Sequence, residues 1–228
     1  MTMTFLPDQT NREFVDALGR GLDVLQTCSD APEGLTLAEV ARRVETTRAS
    51  ARRSLLTLVA KGYLVTDGRL FRLTPKILAL AAPMLAAPLV RRTQPVLEEL
   101  SHRFDESFSI AVISGEEIVY VARTEARRII SLNLTIGSRL PAWCTSMGRI
   151  LLASLPVEER RKHIPDNLTP RTSKTLIDRD LLLKNLVQVS QDGFALLNEE
   201  LAPGLSSLAV PIIGLNGRVV AALNVGTE

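Results

Sequence analysis

The sequence has 228 residues, 46% of them hydrophobic, and a formal net charge of +2, which fits one or two folded domains and excludes a disordered chain. Its two cysteines and two histidines lack the spacing of a disulfide framework or a metal site, so we expect no metal and no cofactor. The first ten residues do not resemble a signal peptide, and the most apolar segment, residues 77–90, is too short to span a membrane. We therefore expect a cytoplasmic protein without membrane contact.

Positive charge is concentrated in one short segment. Residues 42–76 contain nine lysines and arginines against Glu45 and Asp67, whereas residues 1–41 have two arginines against seven acidic residues. The remaining residues carry sixteen charges of each sign. Clustered cations release counterions from phosphates, so nucleic acid is the first partner to consider. The alternative, a solvated basic surface, is not excluded by charge alone.

Two helices are predicted before the basic segment. Apolar residues recur at helical spacing from Phe14, which predicts a helix that ends near Thr27. Thr36, with Glu39 three residues later, forms a capping box and begins a second, short helix.

A third helix has the features of a DNA-recognition helix. It is predicted over residues 48–60, after a three-residue turn, with Thr47 as N-cap and Gly62 as the stop signal. A recognition helix enters the major groove N-terminus first, so its dipole and early arginines face phosphates and guanine edges. The alternative is an ordinary helical hairpin with a charged face. The residues of this helix expected to contact DNA are Arg48, Ala49, Arg52, Arg53 and Thr57.

A basic hairpin follows the third helix. Two short strand-like runs flank Asp67 and Gly68, a tight-turn pair. A hairpin directly after a recognition helix is a wing, and Arg69 and Arg72 are expected to contact phosphate or the neighbouring minor groove. Residues 1–76 are therefore predicted to form a winged helix-turn-helix domain that binds double-stranded DNA.

Residues 77–104 are predicted to form two linker helices, rich in alanine and leucine and broken by three prolines. The prolines leave no heptad repeat, so a coiled coil is not expected. The leucines that suit a packed face, where a dimer contact is also expected, are Leu78, Leu85 and Leu89.

The residues from 105 onward are predicted to form an antiparallel sheet with helices on it, so the fold class is α+β. Strands are expected at residues 107–113, 117–123, 129–136, 194–198, 206–213 and 218–225, and helices at residues 147–154, 157–163 and 178–191. Residues 137–141 are expected to end the third of these strands.

No catalytic constellation is recognised in this region. Cys144 lies near a predicted helix N-terminus, where a thiolate is stabilised, but no candidate base accompanies it. An enzyme that uses Cys144 stays a minor alternative to a small residue packed at a pocket wall. Adjacent Glu199 and Glu200 are interpreted as residues of a solvated turn.

Several stretches resemble the IclR family of bacterial transcription regulators. They are residues 14–22, 49–63, 73–76, 140–149, 204–211 and 222–226, and they follow the family order along nearly the whole chain. The opening helix and the run at residues 144–149 look most like the branch that governs aromatic-acid breakdown by the protocatechuate and β-ketoadipate route. The resemblance implies a GAF-like effector domain over residues 105–228 and a homodimer or a dimer of dimers (tetramer).

The resemblance also implies a pocket for a small organic acid between the loop before the predicted helix at residue 147 and the last strands. Helix-initial amides favour an anion, polar side chains offer hydrogen bonds, and Trp143 is suited to cover an aromatic ring. The alternatives are local caps for the serines and core packing for Trp143. The expected effector-binding residues are Trp143, Cys144, Ser146, Met147, Ser207, Asn224 and Gly226.

The function implied is a transcription regulator whose operator binding responds to a small organic acid. A DNA-binding dimer without an effector is the main alternative. The family normally continues past the last strand into a C-terminal helix, whereas this sequence stops at Glu228. We expect either a truncated sequence or an unusual terminus, with apolar surface exposed on the sheet.

Overall fold

A computed structural model describes residues 14–124 and 134–227. The chain divides into two compact units, one up to Met84 and the other from Leu85. Most of the strand expected at residues 129–136 lies outside the described residues, and residues 134–136 are not in a strand. None of the helices in the described ranges combines the length and the apolar character that crossing a membrane requires.

The first unit consists of helices and a small antiparallel sheet. Its elements are α1 (Asp16–Ser29), β1 (Leu35–Thr36), α2 (Leu37–Arg43), α3 (Arg48–Ala60), β2 (Leu64–Thr66), β3 (Leu70–Leu73), a 3-10 turn (Pro75–Ile77) and α4 (Leu78–Leu85). The strand order is β1-β3-β2, so the predicted wing is confirmed. Strand β1 was not predicted; it adds to the wing because Leu35 pairs with Phe71.

Two threonines fix where α2 and α3 begin. The amide of Thr36 donates to Glu39 Oε2 at 2.8 Å, and Thr36 Oγ1 accepts from the amide of Glu39, which confirms the capping box. Thr47 Oγ1 accepts from the amide of Ser50 at the start of α3. Glu45, between the two helices, has a left-handed φ of 51° that turns the chain sharply. These local interactions produce the predicted helix-turn-helix.

The core of the first unit uses only part of the apolar stripe that the spacing marks on α1, since Leu25 alone of that stripe packs against it. Phe14, Leu18 and Leu22 are exposed, whereas Val24 and Cys28 are buried. Val24 and Cys28 pack with Leu55 of α3 and other apolar residues of this unit. Each such fully buried aliphatic side chain stabilises the fold by about 1.5–3 kcal/mol.

The second unit is built on a six-stranded antiparallel sheet of order β6-β5-β4-β9-β8-β7. Its elements are α5 (Pro88–Phe104), β4 (Ser107–Ser114), β5 (Glu117–Arg123), β6 (Arg139–Pro141), α6 (Ser146–Ala153), α7 (Val157–Arg160), α8 (Arg179–Asp192), β7 (Ala195–Asn198), β8 (Ser206–Ile213) and β9 (Val219–Thr227). The α+β class is confirmed, and the residues expected to end the third strand, 137–141, include a short strand that was not predicted, β6 at Arg139–Pro141. Pro141 is accommodated there because β6 is an edge strand.

Helices cover both faces of this sheet, so each strand contributes to two cores. Helices α6 and α8 pack on one face, and Leu97 of α5 packs on the other. Strand β9 shows the alternation: Ala222 belongs to the α6 core, whereas its neighbour Ala221 belongs to the α5 core. Asn224 and Gly226 share the face of Ala222 by the two-residue period.

The two predicted linker helices correspond to α4 and α5, although the prolines interrupt them less than expected. Pro83 and Pro95 lie inside helices, and Pro88 occupies the first turn of α5, where a missing N–H costs little. The leucines of the expected packed face differ, since Leu89 packs against the α5 core while Leu78 and Leu85 are exposed.

Candidate functional site: a basic helix and a polar row beside α6

Helix α3 presents the predicted DNA-contacting residues away from the core. Ala51 and Leu55, four residues apart, are fully buried and define the inner face. The exposed residues of the helix include Arg48, Ala49, Arg52, Arg53 and Thr57. Thr57 Oγ1 donates to the carbonyl of Arg53 at 2.8 Å, so the helix backbone already engages this hydroxyl. Three arginines therefore form a cationic outer face near the helix N-terminus.

The wing turn is organised by Asp67. Its Oδ1 accepts from the amides of Leu70 at 2.8 Å and Arg69 at 2.9 Å, and its Oδ2 contacts Arg72 Nη1 at 3.0 Å. These backbone bonds and the Arg72 bond hold the pKa of Asp67 well below its usual range. Arg72 Nε also donates to the carbonyl of Glu33 at 3.0 Å. Arg69 is thus exposed at the wing, while Arg72 is engaged within the unit.

Four of the seven predicted effector residues come together beside the start of α6. Ser146 Oγ is hydrogen-bonded to Ser207 Oγ on β8, and Asn224 Nδ2 on β9 donates to Ser207 Oγ at 3.2 Å. Gly226 pairs directly with Ser207 across the strands. Asn224 Oδ1 is buried and has no hydrogen-bond partner among the described residues. The arrangement therefore offers an acceptor to a donor from a ligand.

The other three predicted effector residues lie in the α6 core. Trp143 and Cys144 form a 3-10 turn before α6, and Met147 lies in its first turn; their side chains are 4%, 0% and 1% exposed. Thr145 caps the helix by accepting from the amide of Gly148 at 3.2 Å. This packing fixes the segment that carries Ser146.

Burial decides the chemistry of Cys144. Desolvation raises the pKa of this thiol to about 11, although Arg171 and Arg149 nearby lower it. The expected stabilisation of a thiolate is therefore wrong, because desolvation outweighs the cationic surroundings. At neutral pH the group is a protonated thiol, a poor nucleophile.

A buried ion pair that the sequence did not reveal supports the same segment. Arg149 on α6 is 1% exposed; its Nη2 contacts Glu200 at 2.7 Å, and its Nε donates to the carbonyl of Trp143 at 2.7 Å. A third bond joins Arg149 to Asn185 on α8. The interpretation of Glu200 as a solvated turn residue is therefore wrong. One feature of the sequence could have indicated this ion pair. Arg149 directly precedes the apolar residues 150–153, and a charge that is buried together with them requires a partner.

The described parts of the chain hold no group of three or more His, Cys, Asp or Glu side chains that could bind a metal ion.

A winged helix-turn-helix with an arginine-rich outer face, followed by a sheet domain with a polar site, defines a DNA-binding transcription regulator. Residues 17–68 match the family model of the IclR helix-turn-helix domain, and residues 82–228 match that of the bacterial transcriptional regulator IclR C-terminal domain. The chain therefore belongs to the IclR family of bacterial transcription regulators, as the resemblance implied.

Individual relatives agree with the branch that the sequence indicated. The chain is 42% identical to the Pca regulon regulatory protein of Pseudomonas putida, over 95% of this chain and 75% of that protein. It is 34% identical to the p-hydroxybenzoate hydroxylase transcriptional activator of Acinetobacter baylyi, over 93% of this chain and 81% of that protein. A solved IclR homolog from Microbacterium hydrocarbonoxydans, complexed with 4-hydroxybenzoate, is similar with a TM-score of 0.78 and 25% identity, covering 93% of this chain and 89% of that one.

Proposed function

We propose that an aromatic carboxylic acid of the protocatechuate and β-ketoadipate route is the effector that modulates operator binding by this regulator. The buried acceptor Asn224 Oδ1, next to the bonded hydroxyls of Ser146 and Ser207, carries this proposal. A buried acceptor without a donor is costly, and the hydroxyl of a hydroxybenzoate supplies that donor. The 4-hydroxybenzoate complex of the Microbacterium homolog supports an effector of this class.

Each part of the chain has a role in the proposal. Residues 1–76 bind the operator, residues 77–104 link the domains, and residues 105–228 bind the effector. The protein acts in the cytoplasm as a homodimer or a dimer of dimers, and two heads read half-sites about 34 Å or more apart. Effector binding changes operator affinity only as far as the acid prefers one of two states of the protein. The proposal includes no catalytic step, because burial raises the pKa of the Cys144 thiol and keeps it protonated at neutral pH.

DNA binding is tested by fluorescence anisotropy with a duplex identified by footprinting upstream of the protein's own gene. The double variant Arg52→Ala/Arg53→Ala is expected to weaken binding and to reduce the slope of log K against log salt by about 0.9 for each lost phosphate contact. Arg218→Ala, which removes an exposed arginine of the second unit, is the matched control. An unchanged slope in the double variant would contradict the role assigned to α3.

Effector binding is tested separately by thermal shift with aromatic and short aliphatic acids. An acid present at 100 times its Kd is expected to stabilise the protein by about 2.7 kcal/mol and to change operator affinity. If none of the acids has either effect, the alternative of a DNA-binding dimer without an effector is favoured.

A further inference from the structure

An open groove of about 520 Å³ lies on the first unit, between α2 and the start of α3. Its lining comes from both helices and from the turn between them, and it consists of Ala38, Glu39, Ala41, Arg42, Thr46 and Arg48. The amide of Thr46 donates to the carbonyl of Ala41 at 3.0 Å, which holds the turn against α2. Arg42 of α2 and Arg48 of α3 therefore line the same groove. The sequence singled out only Arg48 of these two as a DNA contact.

Positive charge dominates the lining of this groove. Arg42 and Arg48 are both exposed, and Glu39 supplies the single carboxylate of the lining. That carboxylate is engaged in the cap of α2, because Glu39 Oε2 accepts from the amide of Thr36 at 2.8 Å and from its hydroxyl at 2.7 Å. The bonds from Thr36, followed by the charges of Arg43 and Arg42, hold the pKa of Glu39 below its usual range. Two cations therefore face one anion that the helix cap already fixes.

The lining also determines the class of ligand. Pockets for small molecules are mostly apolar and enclose their ligand, whereas this groove is open and its apolar residues are two alanines, Ala38 and Ala41. An extended polyanion complements it better, because guanidinium groups match phosphate oxygens and threonine hydroxyls commonly donate to DNA phosphates. The positive end of the α3 dipole lies beside the groove and adds to the attraction. Since α3 is the proposed recognition helix, the polyanion that fits is the backbone of the bound duplex.

We propose that this groove holds the DNA backbone and that Arg42 binds a phosphate in it, so that Arg42 positions α3 in the major groove without reading bases. This inference rests on the proposed operator binding by residues 1–76 and deepens it. It adds a residue of α2 to the DNA contacts expected from the sequence. It also assigns the two helices different tasks, since phosphate contacts fix the register of a protein on DNA while base contacts specify the sequence.

Fluorescence anisotropy of the full chain over a salt series, with the footprinted duplex and with an unrelated duplex of equal length, tests the assignment. On both duplexes Arg42→Ala is expected to reduce the slope of log K against log salt by about 0.9 for each bound head, or about eightfold in affinity per head at about 0.1 M salt. The ratio of the two affinities is expected to stay within about threefold, since a phosphate contact carries no sequence information. Arg42→Lys keeps the charge and is expected to retain most of the slope. The matched control is Arg43→Ala, which removes the neighbouring exposed arginine of α2 outside the groove lining and is expected to leave the slope unchanged.

The outcomes separate this inference from the proposed function. If Arg42→Ala keeps the wild-type slope, or if Arg43→Ala reduces it equally, the groove does not hold a phosphate, although operator binding stands. A loss of about tenfold or more in the affinity ratio would also overturn the assignment, because Arg42 would then read bases. If the wild type binds neither duplex at low salt, the proposed operator binding fails, and the role of Arg42 fails with it. Far-UV circular dichroism establishes that the variants are folded. Should Arg42→Ala not fold, the slope measured for Arg42→Gln decides in the same way.

Discussion

Replacing Glu200 by alanine removes the carboxylate that Arg149 Nη2 contacts at 2.7 Å. Arg149 is 1% exposed, so solvent compensates only weakly for the lost partner. Burial already lowers the pKa of this guanidinium, and the charge of Glu200 opposes that shift. The variant therefore leaves a buried cation with less compensation, and the second unit is expected to lose stability.

The size of the loss follows from what Arg149 keeps. Breaking a buried ion pair by removing one partner costs about 3–5 kcal/mol. Arg149 retains its bonds to the carbonyl of Trp143 and to Asn185, so we expect the lower end, about 3 kcal/mol. For a protein of this size the melting temperature is then expected to fall by about 6–12 °C. The matched control breaks the exposed pair of Glu117 and Arg139, whose side chains are 43% and 44% exposed; Glu117→Ala is expected to cost no more than about 1 kcal/mol.

Urea unfolding followed by tryptophan fluorescence measures this difference, because Trp143 is the only tryptophan in the sequence and its carbonyl is bonded to Arg149. Adding Arg149→Met to Glu200→Ala is expected to restore part of the stability, since no buried charge remains. Equal losses of unfolding free energy for Glu200→Ala and Glu117→Ala would refute the reasoning.

Three further predictions concern glycines, the wing and a thiol. Gly148→Ala is expected to lower the free energy of unfolding in urea by about 3 kcal/mol, because the added Cβ would lie 2.0 Å from the carbonyl oxygen of Ala142. The control is Gly21→Ala, whose added Cβ would meet nothing within 4 Å and is expected to stabilise α1 by about 0.5–1 kcal/mol. Because folding lowers the pKa of Asp67 from its ordinary 3.8, its stabilising contribution is present above that pH and is lost as the pH falls below it. When the pH is lowered from 7 to 3, the melting temperature of Asp67→Asn is therefore expected to fall less than that of the wild type. An equal fall for both proteins would contradict this. Cys144, whose pKa is about 11, is expected to resist iodoacetamide at pH 8 in the folded protein and to react after unfolding, as followed by mass spectrometry; rapid alkylation of the folded protein would count against the buried thiol.

The elements that the sequence predicted well are those specified by neighbouring residues. The capping box of Thr36 and Glu39 marks the start of α2, Thr47 marks the start of α3, and Asp67 with Gly68 marks the wing turn. Each signal acts within four residues, so it is visible without tertiary structure.

The elements that the sequence missed depend on distant partners. Strands β1 and β6 contain two and three residues, too few for an alternating pattern, and they exist because a longer strand pairs with them. Which face of α1 is buried also depends on tertiary packing, so the exposed stripe beginning at Phe14 was an equally good candidate for a core face.

The candidate site likewise contains residues that the sequence indicated and contacts that only the structure shows. Ser146, Ser207 and Asn224 were found through the family resemblance, and the structure brings them together. The Arg149 ion pair was missed, because a contact 51 residues apart in sequence has no local signature.

The alternation along β9 has a consequence for how this regulator can change. Ala221, Leu223 and Val225 face the α5 core, while the intervening Asn224 is hydrogen-bonded to Ser207 on the opposite face. Successive codons of one short segment therefore serve separate demands, packing of the α5 core at one position and the polar contacts beside α6 at the next. The polar face can change by exchanging alternate residues without rebuilding the scaffold, whereas inserting or deleting a single residue there would disturb both faces at once.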